Sequence, residues 1–233
     1  MQYTSNIALL FFARTPYSDT KRKSFASNKL HMEVVSHLHI KTFQKLCETG
    51  LPVIVSNEHT QKSRSLAKNL SQAVAGVFQK GYQKVIVVGN DCPDLNNNTL
   101  QKAIKSLNEG SNVLGPDMNG GNYLIGVDKS GFCIKAFENA LRDKSKVHNK
   151  LCALLSKSDA PFVILDRKHD INNEPALREY VKSSGKLNST YTFLRKVYFA
   201  SIGFIKANSG YISMKYAPIF SLDHSRRGPP IHV

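Results

Sequence analysis

Hydrophobic residues in this chain fall in short unbroken runs separated by longer segments of helical spacing. Ile7 to Ala13 and Val85 to Val88 are continuous apolar or β-branched runs, the pattern of strands buried on both faces of a parallel sheet. Pro52 to Ser56, Val113 to Pro116, Tyr123 to Val127 and Phe162 to Leu165 add four further strands, the last expected in the core. Between them, Leu30, Val34, Leu38, Phe43 and Leu46 recur near helical spacing, in a helix capped by Ser27 or Asn28 and running to about Glu48. Helices are also predicted over Leu66 to Phe78, Leu100 to Leu107 (opened by Asn98 or Thr99), Ile134 to Leu141, Lys146 to Leu155 and Glu174 to Lys182. This alternation predicts an α/β protein, a three-layer α/β/α sandwich with a mostly parallel sheet.

The texture changes after Ser183-Ser-Gly185. The segment from Leu187 is rich in Tyr, Phe, Ser, Gly and basic residues, and the last dozen residues should be extended. Tyr191 to Ile205 fits a helix or a strand pair equally. The expected organisation is a domain over residues 1–186 and a basic, aromatic, partly disordered C-terminal extension over 187–233.

Composition narrows the function classes. With 233 residues and 41% hydrophobic content the chain can bury a substantial core. No apolar run approaches the roughly 20 residues of a membrane span, and the N-terminus lacks the basic segment and cleavage site of a secretory signal. Cys47, Cys92, Cys133 and Cys152 are scattered, without a Cys-x-x-Cys pair, so a reducing cytoplasm is the expected address. The net charge of +15 points to phosphorylated ligands, with peripheral contact to an anionic membrane surface as an alternative use. The absence of a compact Arg/Lys block interleaved with aromatics argues against nucleic acid.

Four loops follow predicted strand ends, residues 14–23, 90–95, 117–122 and 166–172. In an open α/β sheet such ends gather on one edge and form the ligand crevice. They bring Arg14, Lys21, Arg22 and Lys23 towards Asp91 and Asp94, beside Asp117 with its Gly120-Gly121 pair, and Asp166, His169 and Asp170. Cations facing carboxylates are what a metal–nucleotide complex needs, because the metal offsets phosphate charge that Lys and Arg then share. His37 and His39, two apart on a helix, are expected to be solvated. Cys92 is expected to be a buried structural thiol, and Tyr123 to pack in the core or line the cleft.

Three ordered motifs carry a resemblance: Phe11-Phe-Ala-Arg-Thr-Pro16, Gly89-Asn-Asp-Cys-Pro-Asp-Leu95 and Gly115-Pro-Asp-Met-Asn-Gly-Gly-Asn-Tyr-Leu-Ile-Gly126. Over residues 7–182 the chain resembles a bacterial family of glycosyltransferase-A-like proteins in the nucleotide-diphospho-sugar transferase superfamily, related to the molybdenum cofactor and phospholactate guanylyltransferases. The resemblance implies a GT-A-like, Rossmann-like fold and a glycosyl- or nucleotidyltransferase acting on a nucleotide-sugar or nucleoside triphosphate with Mg²⁺ or Mn²⁺. Asp91 and Asp170 become the implied catalytic and metal-binding carboxylates. Arg14, Lys21, Arg22, Lys23 and Asn90 would contact the nucleotide, and Asp117, Asn119, Gly120, Gly121 and Tyr123 would border the substrate pocket. The acceptor is not implied, and a dimer is compatible with the sequence.

The chain departs from the family pattern where charge matters. Asn119 and Asn172 stand where carboxylates are usual, and Lys62-Ser-Arg-Ser65 replaces a segment with an acidic position. An amide binds a divalent ion less well than a carboxylate. The alternative expectation is therefore a catalytically degenerate protein that binds phosphorylated ligands or anionic surfaces without metal.

Overall fold

The computed structural model describes residues 6–23, 25, 28–143, 145–158, 160–183 and 188–208. Ser27 as a helix cap and the extended final dozen residues lie outside them.

Six strands form one sheet in the order β2-β1-β3-β5-β4-β6: β1 (Ile7–Phe12), β2 (Val53–Ser56), β3 (Lys84–Val88), β4 (Asn112–Pro116), β5 (Asn122–Asp128) and β6 (Phe162–Ile164). β1 pairs parallel with β2 and β3, and β4 parallel with β6. β5 lies antiparallel between β3 and β4. Five strands therefore point one way, which puts their carboxyl ends, and the loops that follow, on one edge.

Side-chain alternation along β3 shows why the sheet needs both helical layers. Val85 and Val87 face a core built with α3 (Leu66–Gln79), α5 (Ile134–Ala140) and α6 (Val147–Leu155). Ile86 and Val88 face the opposite core, shared with α2 (Asn28–Cys47) and α4 (Asn97–Asn108). A strand buried on both faces reads as a continuous apolar run, as observed. β6 departs from the expectation of a core strand: it is an edge, and Val163 and Ile164 are 38% and 52% exposed.

α2 carries a second apolar face away from the sheet. Val34, Val35 and Leu38 on that face pack with Leu177, Tyr180 and Val181 of α7 (Glu174–Ser183) and with Leu194, Val197 and Tyr198 of α8 (Ser189–Asn208). The ambiguous segment from Tyr191 is thus a helix. His37 stacks on Phe193 with ring centroids 4.0 Å apart, and His39 meets Phe11 edge-on at 4.9 Å. Both rings are half-buried, which corrects the expectation that they are solvated. Burial and the nearby Lys41 and Lys45 push His37 down to about 4, so it packs as a neutral ring.

Two local features were not expected. The chain after β1 turns into a single helical turn, α1 (Pro16–Asp19), with Thr15 as cap and Pro16 at its start. The residue capping α4 is Asn96, whose Oδ1 accepts from the Thr99 amide at 2.9 Å, rather than Asn98 or Thr99. Among the described residues no helix is long and apolar enough to cross a membrane.

Candidate functional site

The edge at the carboxyl ends of β1, β3, β4 and β6 gathers the four loops. Their contacts are polar and specific. Ile171 N–H donates to the Asp91 carbonyl at 2.8 Å, and Lys168 N–H to the Pro116 carbonyl at 3.1 Å. The Tyr123 hydroxyl, rising from β5, donates to the Asp166 carbonyl at 3.1 Å. Loop 166–172 is thereby tied both to the acidic turn after β3 and to the end of β4.

The centre is an ion-pair triad. The Lys23 ammonium donates to the carboxylates of both Asp19 and Asp91, and its side chain is only 8% exposed. Asn90 donates to Asp19 Oδ2 at 3.0 Å. Burial alone would pull the Lys23 pKa down, but the two adjoining carboxylates outweigh it and hold the ammonium charged, above the usual lysine range. Burial pushes the Asp91 carboxyl up; the Lys23 ammonium in direct contact opposes it, and Asp19 adds a further upward push.

Of the four cations expected to contact the nucleotide, Lys23 is buried in this triad, whereas Lys21 lies over the Tyr17 ring at 4.4 Å, Lys21 and Arg22 are exposed, and Arg14 is half-buried. Asp19 was overlooked, although its spacing of four from Lys23 is the signal of a helical ion pair.

Asp170 completes the acidic side. Burial, then the charges of Asp91 and Asp117, push its carboxyl up to about 7. Asn172, on the neighbouring amide position, donates to Asp170 Oδ2 at 3.1 Å and so orients it. Asp117 is spent on its own loop: Oδ1 accepts from the backbone of Asn119 at 2.7 Å and of Gly121 at 2.8 Å. Both glycines have a steric reason. A Cβ on Gly121 would lie 2.4 Å from Asp117 Oδ2, and Gly120 has φ +88° with Ser145 O 2.6 Å from any added Cβ. The side chain of Asn119 is exposed.

The neighbours of the acidic turn are structural. Asp94 is buried, accepts from the Tyr180 hydroxyl at 3.0 Å and has His169 Nδ1 at 3.8 Å. Lys45 of α2 donates to the Leu95 carbonyl. Cys92 is 2% exposed and burial pushes its thiol up to about 12, so it is an inert core residue, as expected.

Whether these residues suit a divalent metal depends on who supplies the remaining ligands. Among the described residues no group of three or more His, Cys, Asp or Glu side chains is placed to hold an ion, so a cage made by protein alone does not fit. Mg²⁺ and Mn²⁺ sites built from one or two carboxylates plus substrate phosphates do fit, with Asp91 and Asp170 as hard oxygen donors. The upward push of Asp91 and Asp117 on Asp170 marks a place short of positive charge.

Residues 40–140 match the family model DUF2064, described as an uncharacterized protein conserved in bacteria. That span holds Asp91 and the double glycine but neither Lys23 nor Asp170. A candidate nucleotide-diphospho-sugar transferase from Desulfovibrio desulfuricans G20 superposes with a TM-score of 0.73 at 22% identity, over 86% of this chain and 98% of that one. The fold is therefore the nucleotide-diphospho-sugar transferase fold. More distant resemblances include 4-diphosphocytidyl-2C-methyl-D-erythritol synthase from Anaerococcus prevotii (TM-score 0.42, 10% identity, 87% of this chain and 97% of that). A manganese complex from Mycobacterium tuberculosis H37Rv is similar at TM-score 0.40 and 13% identity, over 76% and 99% of the two chains. No curated protein matches the sequence significantly.

Replacing Lys23 with Met leaves two carboxylates facing each other without a cation. Loss of one partner of a buried ion pair costs about 3–5 kcal/mol, and urea denaturation of Lys23→Met should show a loss on that scale. A loss below about 1 kcal/mol, typical of exposed pairs, would contradict the buried triad. Asp170 makes stability depend on pH. Its folded pKa is raised above the unfolded value near 3.8 to about 7, so its contribution is complete below pH 3.8 and is lost as pH rises through 7. Asp170→Asn should therefore melt higher than the native chain at pH 8, and the gap should close towards pH 5. An equal difference at both pH values would contradict the shift.

Proposed function

We propose that the chain is a transferase that binds the diphosphate of a nucleotide-sugar or nucleoside triphosphate at Asp91 and Asp170, moving a glycosyl or nucleotidyl unit to an acceptor. The observation that carries this reading is the Asp91 carboxylate at the sheet's carboxyl edge, bonded to an ammonium that a phosphate can draw away. Ligands of open α/β sheets bind at that edge, and the fold is one on which such chemistry is built, which by itself does not assign it.

In this reading Asp91 and Asp170 would be the side chains that hold Mg²⁺ or Mn²⁺ when nucleotide binds. The ion, when bound, supplies Lewis-acid stabilisation of negative charge on the departing diphosphate. Lys23 then exchanges one carboxylate partner for a phosphate oxygen while Asp19 retains it, so the ammonium moves a short way without becoming unpaired. Asn90, held by Asp19, sets the position of that pivot. Asn172 keeps Asp170 aimed at the site. Preorganised charge of this kind lowers the barrier because it needs no reorganisation during reaction.

A second reading has support in the same residues. Lys23 already neutralises Asp91, and Asn119 and Asn172 lack the charge of carboxylates, as in a protein that binds phosphorylated ligands without metal or turnover. Calorimetric titration with GDP, UDP and CDP, with and without Mn²⁺, separates the two. The transferase reading expects nucleotide binding that requires Mn²⁺ and weakens by at least about tenfold, 1.4 kcal/mol, in Asp91→Ala. Binding indifferent to both metal and Asp91 would remove that reading and leave the binding module.

A further inference from the structure

Beyond the acidic turn, along loop 166–172, the sheet edge opens into a cavity of about 270 Å³. Its walls are the start of α4, the edge strand β6 and the Tyr123 ring, and it shares with the metal-binding position only that loop. Lys102 of α4 and Lys168 of the loop both line it. Neither makes an ion pair among the described residues. Lys168 lies over the Tyr123 ring, 5.9 Å from its centroid. The backbone of Lys168 is fixed by its bond to Pro116 and by a bridge to Asp117, so its ammonium starts from a defined point.

The rest of the lining sets the ligand's character. Asp166 contributes the cavity's single carboxylate, leaving two ammonium groups in excess of it by one charge. The Thr99 amide at the start of α4 is already taken by the Asn96 side chain, and the full charges offered to an anion are those of the two lysines. Val163 and Ile164, exposed on the sheet edge, give the cavity an apolar wall. Two ammonium groups suit a phosphate dianion, which presents several acceptor oxygens, better than a carboxylate that one would satisfy.

We propose that this cavity is a subsite for a small phosphomonoester whose phosphate is held by Lys102 and Lys168 and whose carbon body lies on Val163, Ile164 and Tyr123. It rests on the transferase reading for its role, as the place of the acceptor, since loop 166–172 carries Lys168 into the cavity and Asp170 into the diphosphate site. The cavity's chemistry stands without that reading, and the two are tested apart.

Titration calorimetry of the full chain, without nucleotide or metal, with inorganic phosphate and with butyl phosphate is the direct test. Both should bind, butyl phosphate more tightly, and both should weaken by at least about tenfold in the Lys102→Gln/Lys168→Gln variant. Ile164→Ser should remove the advantage of butyl phosphate. Nucleotide binding in the presence of Mn²⁺ should persist in the Lys102→Gln/Lys168→Gln variant, whose two positions lie outside the Asp91 site, so either assignment can fail alone. Lys129→Gln, which removes an exposed charge elsewhere, controls for the general attraction of a chain of charge +15. The proposal is overturned if the native chain binds neither phosphate, if the double variant binds as well as native, or if Lys129→Gln weakens binding as much as the double variant does.

Discussion

The buried bond of one ammonium to two carboxylates organises the functional edge of this protein. Lys23 joins the loop after β1 to the turn after β3, and Asp19 and Asn90 reinforce the join from either side. Without that cation the two carboxylates would repel across a desolvated gap, and the loops could not close on each other. The same bond makes the site responsive. An ammonium shared between two carboxylates can give up one of them to an incoming phosphate, provided another cation arrives to take its place at Asp91. On the proposed reading, stability and ligand binding would thus be set by the same three residues.

The sheet explains why the chemistry collects here and nowhere else along the strands. Five parallel strands send their following loops to one edge, and the antiparallel β5 adds Tyr123 from the opposite direction. Loop 166–172 carries Asp170 near Asp91 and Asp117 and Lys168 to the neighbouring cavity. On the proposed reading, the carboxylate-rich side would take the donor and the ammonium-rich cavity a phosphorylated acceptor, and the loop between them would keep the two phosphates apart.

Much of this architecture could be read from the chain, for physical reasons. β1 and β3 are legible because burial on both faces demands an unbroken apolar run. The gathering of the four loops follows from parallel strands, and Asp91 stands out because a Pro-stiffened turn after a buried strand has few structural uses for a carboxylate. Other features carry little local signal. The direction of β5 leaves no trace, since a fully buried antiparallel strand has the same composition as a parallel one. α8 reads ambiguously because its apolar stripe is matched to α2 and α7 rather than to a simple solvent boundary. Asp19 and Lys23 lie within a segment that looks like a solvated basic loop, and only a one-turn helix brings them together. The double glycine points to a ligand when read alone, and its structural reasons appear only in the fold, where Gly121 leaves room for the Asp117 carboxylate and Gly120 for the Ser145 carbonyl.

The central claim is that a nucleotide diphosphate brings a divalent ion to Asp91 and takes Lys23 as its own counter-ion. Crystals of the protein grown with Mn²⁺ and GDP, UDP or CDP, measured at the manganese absorption edge, test it most directly. The account predicts an anomalous peak bonded to Asp91, with the Lys23 ammonium between Asp19 and a phosphate oxygen. Bound nucleotide with no such peak and with Lys23 still bridging Asp19 and Asp91 would contradict it.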